Sequence, residues 1–353
     1  MSTPSLTIVD LTLLATHGEP IVGHQLQGIQ LARAPLPGAV FSRVNFQEAD
    51  FSGADLREAV FDQCDFTGAN FSGAQLRAAV FNRCRFQQVQ AAGAKMHAAK
   101  FVDTGLQDTV LTGADLNLAA FHRCRLSRAQ LGGALIDRST FVGCAFPQAV
   151  LRQVAFHQVT LSGVDLEGAD WAGSSFAGVV FHEVNLDGRS FAGLRLTGCQ
   201  FPGSSLQNAD FEGATLTQSN FQAVPLGAAN FTRADAAMAI FVKARAQGAR
   251  FGGARLRHAL FAEAQLDRCV FDGADLYQGY FADATLQQCS LRDCELTYAD
   301  FSRARLPQCQ LQGSRLERAK FHRAELAGTE LPAGHGSLGT DPVQAKAELW
   351  PNG

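Results

Sequence analysis

The sequence predicts a solenoid, a chain wound into stacked coils of twenty residues, and three features of its 353 residues carry that prediction. An apolar side chain, large with almost no exceptions, stands at every fifth position from Leu26 to Leu331 without loss of phase. Of these 62 positions 56 are Leu or Phe, and the other six are Ala91, Met96, Ile136, Trp171, Ala236 and Ala246. A small residue stands two places before the large one, as at Ala49, Ala54, Ala59 and Cys64. Phenylalanine concentrates on every fourth large position, filling fourteen of the fifteen from Phe41 to Phe321. Helices repeat at about 3.6 residues and strands at about 2, so a period of five belongs to neither.

Each five-residue unit therefore turns one large and one small side chain inward and three outward. A unit so short cannot bury a face alone, so the units have to stack. Four units per coil bring each Phe beneath the Phe twenty residues on, and the repeat occupies residues 26–331. Residues 1–25, with Leu6, Ile8, Val9, Leu11, Leu13 and Leu14, are expected to cap the first coil, because an uncovered strand edge invites aggregation. Residues 332–353 are expected to be a linker followed by a short C-terminal capping helix or flexible tail. Asp341-Pro342 offers an N-cap and a proline at the first helical position, which predicts a helix over about 342–350. Two irregularities stand out. Arg189 and Leu194 occupy small inward positions and predict a bulge near 187–196, and Ala236 and Ala246 underfill large ones, with Met238 and Ile240 nearby to compensate.

The units Ala54-Asp55-Leu56-Arg57-Glu58, Ala69-Asn70-Phe71-Ser72-Gly73 and Ala114-Asp115-Leu116 resemble the pentapeptide-repeat motif, Ala-(Asp or Asn)-(Leu or Phe)-polar-polar. The resemblance covers residues 26–331. It implies an all-β solenoid, a right-handed four-sided parallel β-helix of about 15 coils with terminal caps. At about 4.8 Å per coil that is a rod on the order of 70 Å long.

A net charge of −3 and a pI near 6.3 provide no global field for nucleic acid or membrane. No direct nucleic-acid binding is expected. No run of 18 apolar residues argues for membrane insertion. The start lacks a basic segment followed by an apolar core, so a cytoplasmic location is expected, with export by a specialised secretion system compatible with it. All nine cysteines occupy the small inward position and read as buried hydrophobes. Stacked Cβ atoms near 4.8 Å are too far apart for the disulfide spacing of about 3.8 Å. The sequence holds no phosphate loop, dinucleotide fingerprint, His-Glu-x-x-His or Cys-x-x-Cys. No catalytic, cofactor-binding or metal residue is assigned, and the chain is not expected to be an enzyme.

What remains is surface. The outward position before the Phe column carries Val40, Val60, Val80, Val180, Ile240, Leu260 and Tyr280, a candidate interaction strip. A second candidate is an acidic belt in 161–230, where Asp165, Glu167, Asp170, Glu183, Asp187, Asp210 and Glu212 face only Arg189 and Arg195. The expected function is a non-enzymatic protein-interaction rod or scaffold. The resemblance adds a setting, an accessory or effector-associated component of a bacterial, type VI-like secretion system. It also implies an alternative, a DNA mimic that binds DNA gyrase as a topoisomerase inhibitor or quinolone-protection protein. The partner expected is a protein of unknown identity, with a homodimer through a terminal cap as a further option.

Overall fold

The computed structural model describes residues 6–348, and the chain divides into two compact units, Met1–Val180 and Phe181–Gly353. The first unit opens with helix α1 (Ile8–Thr16). The Thr7 hydroxyl accepts from the Asp10 amide at 3.3 Å and the Asp10 carboxylate accepts from the Thr7 amide at 2.8 Å. This reciprocal box satisfies two donors that would otherwise be orphaned. Leu11 is fully buried while Val9 and Leu13 are exposed, since a nine-residue helix turns only a narrow face inward.

Each five-residue unit makes one side and one corner of a coil. The Ala54 amide donates to the Phe51 carbonyl at 3.0 Å, and Gly53 between them has φ +63°. That is the left-handed third residue a type II turn requires. Coils are joined by parallel pairing at a register of twenty. The Leu56 amide donates to the Gln75 carbonyl, and the Gln75 amide to the Ala54 carbonyl, both at 2.8 Å.

On one face of the first unit the pairing is regular enough to form short strands. They are β1 (Ile21–Val22), β2 (Val40–Ser42), β3 (Val60–Asp62), β4 (Val80–Asn82), β5 (Lys100–Val102), β6 (Ala120–His122), β8 (Thr140–Val142) and β10 (Thr160–Ser162), hydrogen-bonded in that order. A neighbouring face carries β7 (Leu135–Asp137), β9 (Ala155–His157) and β11 (Ser175–Ala177), also parallel. A last strand, β12 (Val180–His182), begins where the first unit ends.

The first unit therefore winds about eight turns. The twenty-residue pairing also reaches past both ends of the expected repeat, so the coil count differs somewhat from the expected fifteen. Ile21 already pairs with Phe41, and Gln25 with Asn45, so the ladder reaches into residues read as the N-terminal cap. In the second unit, Leu338 pairs with Lys320 inside the segment read as a linker.

The core of both units is a set of stacked columns. Phe101, Phe121 and Phe141 stack with centroids 4.8 and 4.6 Å apart and nearly parallel planes. In the second unit the Phe columns of opposite faces also meet edge to face, as Phe241 does with Phe231 at 5.6 Å and with Phe251 at 5.7 Å. Ala236 and Ala246, on the faces between them, are both fully buried. Met238 does not fill the gap. It is 45% exposed at a corner.

The expected bulge at 187–196 is absent. Asn185, Ser190 and Arg195 keep the twenty-residue register with Ser205, Asp210 and Thr215, and Leu186, Phe191 and Leu196 are fully buried. Arg189 and Leu194 are instead accommodated by partial exposure, beside the left-handed corners at Gly188 and Gly193.

The second unit ends in helix α2 (Pro342–Ala347), capped by Asp341, whose carboxylate accepts from the Val343 amide at 2.8 Å and the Gln344 amide at 3.1 Å. The expected extension to Leu349 and Trp350 lies outside the described residues.

Candidate interaction surface

The outward residue before each large one sits on the flat of a face. In the first unit Val40, Val60 and Val80 pair in register and are half-buried. In the second unit Ile240, Leu260 and Tyr280 are bridged in the same way, and Leu260 and Tyr280 are 38% and 39% exposed. Each trio is thus brought together within its own unit. Val180 is half-buried and stands at the end of the first unit, well beyond Val80 in the ladder.

The acidic residues are more dispersed. In the first unit Asp165 and Glu167 lie on one face and Asp170 on the next. Asp165 accepts from the Glu167 amide at 2.9 Å. Asp170 accepts from the Ala172 amide at 3.0 Å and pairs with Arg152, and these contacts hold its carboxyl below the usual carboxylate range. In the second unit Glu183 stands at a corner with φ +54°. Asp187 accepts from the Ser205 hydroxyl at 2.6 Å and the Gln207 amide at 2.7 Å. Asp210 accepts from the Asn230 amide group at 2.9 Å, and Glu212 pairs with Arg233.

The reason is general in this fold. An Asp or Asn before the large residue turns its side chain onto the amide two residues ahead, as Asp50 does to Ser52 and Asp300 to Ser302. Much of the negative charge is therefore part of the corner chemistry.

Three features were not read from the sequence. The first is a corner strip in the second unit built on Tyr277 and Tyr298, whose rings meet edge to face at 5.8 Å. The guanidinium of Arg257 lies over Tyr277 at 4.5 Å from its centroid, and that of Arg318 over Tyr298 at 5.8 Å. The sequence did contain a signal: all three tyrosines of the chain fall between 277 and 298.

The second is a cavity of about 650 Å³ between Asp300, Ser302, Lys320 and His322 on one side and Ser337–Gln344 on the other. His322, 3% exposed, accepts from the Asp341 amide on Nδ1 at 3.1 Å, which leaves Nε2–H to donate to Glu348 at 3.3 Å. Arg323 adds an ion pair to Glu348 at 3.2 Å and a hydrogen bond to the Ala345 carbonyl at 2.5 Å. Helix α2 has no buried residue, so this polar latch is its attachment.

The third concerns the small inward site. Buried hydroxyls there donate to the carbonyl 23 residues earlier, as Thr109 does to Phe86 and Ser139 to Leu116, both at 2.7 Å. The thiols do the same, Cys309 to Leu286 at 2.7 Å and Cys289 to Leu266 at 2.9 Å. The cysteines are thus weak donors as well as apolar filler. All nine are free and buried. Burial pushes the Cys294 thiol up to about 12. Among the described residues there is no group of three or more His, Cys, Asp and Glu side chains that could hold a metal ion.

Profiles for the pentapeptide repeat region match residues 58–134, 114–191 and 264–334. Profiles for tandem pentapeptide repeats (8 copies) match 25–63, 190–222 and 226–261. The chain belongs to the pentapeptide-repeat family. Among solved pentapeptide-repeat proteins it is similar to HetL of Nostoc sp. strain PCC 7120, involved in heterocyst differentiation regulation. The identity is 20% over 79% of this chain and 98% of HetL, with a TM-score of 0.26. A trypsin-treated form of QnrB1, a plasmid-mediated fluoroquinolone resistance protein, is 21% identical over 56% of this chain and 89% of that one, with a TM-score of 0.27. A pentapeptide-repeat protein of the Arabidopsis thaliana thylakoid lumen is 20% identical over 41% and 70%, with a TM-score of 0.16. A search of curated protein sequences returns no match. No helix among the described residues of this pentapeptide-repeat protein is long and apolar enough to cross a membrane.

Proposed function

We propose that this pentapeptide-repeat protein is a non-enzymatic scaffold that binds another protein through the flat face carrying Ile240, Leu260 and Tyr280. The observation that supports the reading is the in-register stacking of those three side chains, with Leu260 and Tyr280 more than a third exposed. Packing does not require them there. Asn220 and Asp300 occupy the same column on either side of the trio, so the fold accepts polar residues at that position. A flat row of apolar side chains rimmed by polar ones is the composition of an interface core. The face offers width and regularity, which suit an extended contact with a folded partner.

A photo-cross-linking amino acid placed at Leu260, in living cells of the source organism, tests this. A discrete covalent adduct that disappears when Tyr280 is changed to Glu is the expected result. An adduct pattern unchanged by Tyr280→Glu, or no adduct, refutes the reading. The identity of the adduct also decides the proposed setting. A secretion-system component places the scaffold at that apparatus, and any other partner removes it from there.

A further inference from the structure

The Tyr–Arg corner of the second unit is built from outward side chains whose identity the fold leaves open. Met238, His258, Tyr298 and Arg318 occupy one corner column with φ between +55° and +61°, where a bulky side chain pays a conformational cost that glycine does not. The same column carries Gly198, Gln218 and Gln278 elsewhere in this unit. The corner thus places a thioether, an imidazole, a phenol and a guanidinium along one edge, with Arg257 and Tyr277 beside them. His258 meets Tyr277 edge to face at 6.0 Å, so His258, Tyr277, Tyr298 and the two guanidiniums form one connected chain of contacts along the corner. Met238 and Tyr298 are 45% and 41% exposed. Tyr, Arg and Met are the residue types enriched at the energetic centres of interfaces.

The two arginines indicate what the strip binds. Arg257 lays its face on Tyr277 and gives an edge to Asp275 at 3.2 Å, so a stacked guanidinium here takes a carboxylate on its rim. Arg318 lies over Tyr298 at a longer 5.8 Å and has no ion pair among the described residues. We infer that this strip is a docking surface for an extended acidic protein segment in which carboxylates alternate with aromatic side chains. A carboxylate of the partner would do for Arg318 what Asp275 does for Arg257, and the partner's rings would lie against Tyr277, Tyr298 and Met238.

From Met238 to Arg318 is four coil rises, roughly 19 Å, or about six residues of extended chain. A nucleic-acid strand is the poorer fit. Residues 181–353 hold 17 Lys and Arg against 18 Asp and Glu, so a phosphate backbone finds no net positive charge along its length, whereas a short segment needs only the local carboxylate contact that Arg318 offers.

This inference rests on the scaffold reading but on a different edge of the unit, so the two can fail separately. The test is fluorescence anisotropy with a fluorescein-labelled twelve-residue peptide of alternating Glu and Tyr, titrated with the full chain. Binding is expected to weaken at least tenfold with Arg318→Glu and with Tyr298→Ala. It should be retained with Tyr298→Phe and change less than twofold with Arg268→Glu at another corner. A Gln–Tyr peptide should bind at least tenfold more weakly than the Glu–Tyr one. Unchanged melting temperatures exclude misfolding, as both residues are solvent-facing. Absence of binding, equal binding by Arg318→Glu, or equally tight binding of a labelled twelve-nucleotide oligo-dT overturns the inference. Loss of the Leu260 adduct with peptide binding intact removes the flat face alone, and the converse removes the corner strip alone.

Discussion

Truncating one ring in the middle of a Phe column measures how the solenoid holds itself together. Phe121 is 1% exposed and lies between Phe101 at 4.8 Å and Phe141 at 4.6 Å. Withdrawing its side chain from burial forfeits about 1.5–3 kcal/mol. Each stacked neighbour adds about 0.5–1.5 kcal/mol beyond burial. With two neighbours the sum is about 2.5–6 kcal/mol, which brackets the usual Phe→Ala cost of about 3–5 kcal/mol. Phe121→Ala should therefore destabilise by about 4 kcal/mol. Phe321→Ala has one stacked neighbour, Phe301 at 5.1 Å, and should cost about 1 kcal/mol less. Urea denaturation followed by circular dichroism gives the two values from the midpoint and slope. Hydrogen exchange then locates the loss, which in a stack of nearest-neighbour contacts belongs in the coils on either side of residue 121. A cost below about 1 kcal/mol, or protection lost evenly across the described residues, would refute the claim that the columns carry the stability.

Thr109→Val keeps the volume of a fully buried side chain but removes its donor to the Phe86 carbonyl; a loss of about 0.5–1.5 kcal/mol in the same urea experiment is expected. The nine buried thiols should resist a maleimide at pH 8 in the native protein and all react after unfolding, with Cys294 slow on both burial and proton affinity; rapid native labelling would show coils that open. Glu348→Ala should raise hydrogen exchange across residues 342–347 while leaving the urea midpoint unchanged, because the latch holds α2 and no core residue. The His322 hydrogen bond holds the Glu348 carboxyl below its ordinary value. The latch therefore contributes fully above about pH 4.3, the unperturbed value, and fades as pH falls further. Protection of α2 that is lost between pH 8 and 6 would contradict that sign.

The sequence discloses this fold to an unusual depth because its determinants are local and repeated. Phe41, Phe61 and Phe81 are spaced by the same number that separates their paired strands, so periodicity alone reads out register. The N-cap at Asp341 was legible for a similar reason, since a cap is specified by a few adjacent residues. The failures are of another kind. Arg189 and Leu194 were expected to distort the backbone, yet twenty-residue hydrogen bonding persists through them, because shifting a side chain outward costs less than breaking the ladder. Met238, which the spacing places to fill space beside Ala236, faces solvent at its corner instead. Both depend on packing across the coil, which spacing along the chain does not encode.

The candidate sites divide along the same line, and the division bears on how function is written into such a chain. A carboxylate at the position before the large residue, such as Asp210, is constrained twice: its side chain holds the amide of Glu212 and takes the side-chain amide of Asn230. Charge found there reports on the repeat before it reports on a partner. Corner residues two places after the large one are constrained only in φ, a demand that Gly, Gln, His and Tyr all meet in this chain. The flat-face positions of Leu260 and Tyr280 are constrained only to be strand-compatible. Information about a partner can accumulate at the second and third kinds of position without disturbing the coil. For that reason Tyr298 and Arg318 outweigh the acidic belt as evidence of recognition. Asp187→Asn, which keeps an acceptor for the Ser205 hydroxyl and the Gln207 amide, should leave peptide binding unchanged where Arg318→Glu abolishes most of it; a matching loss in the anisotropy assay would return the belt to the functional surface.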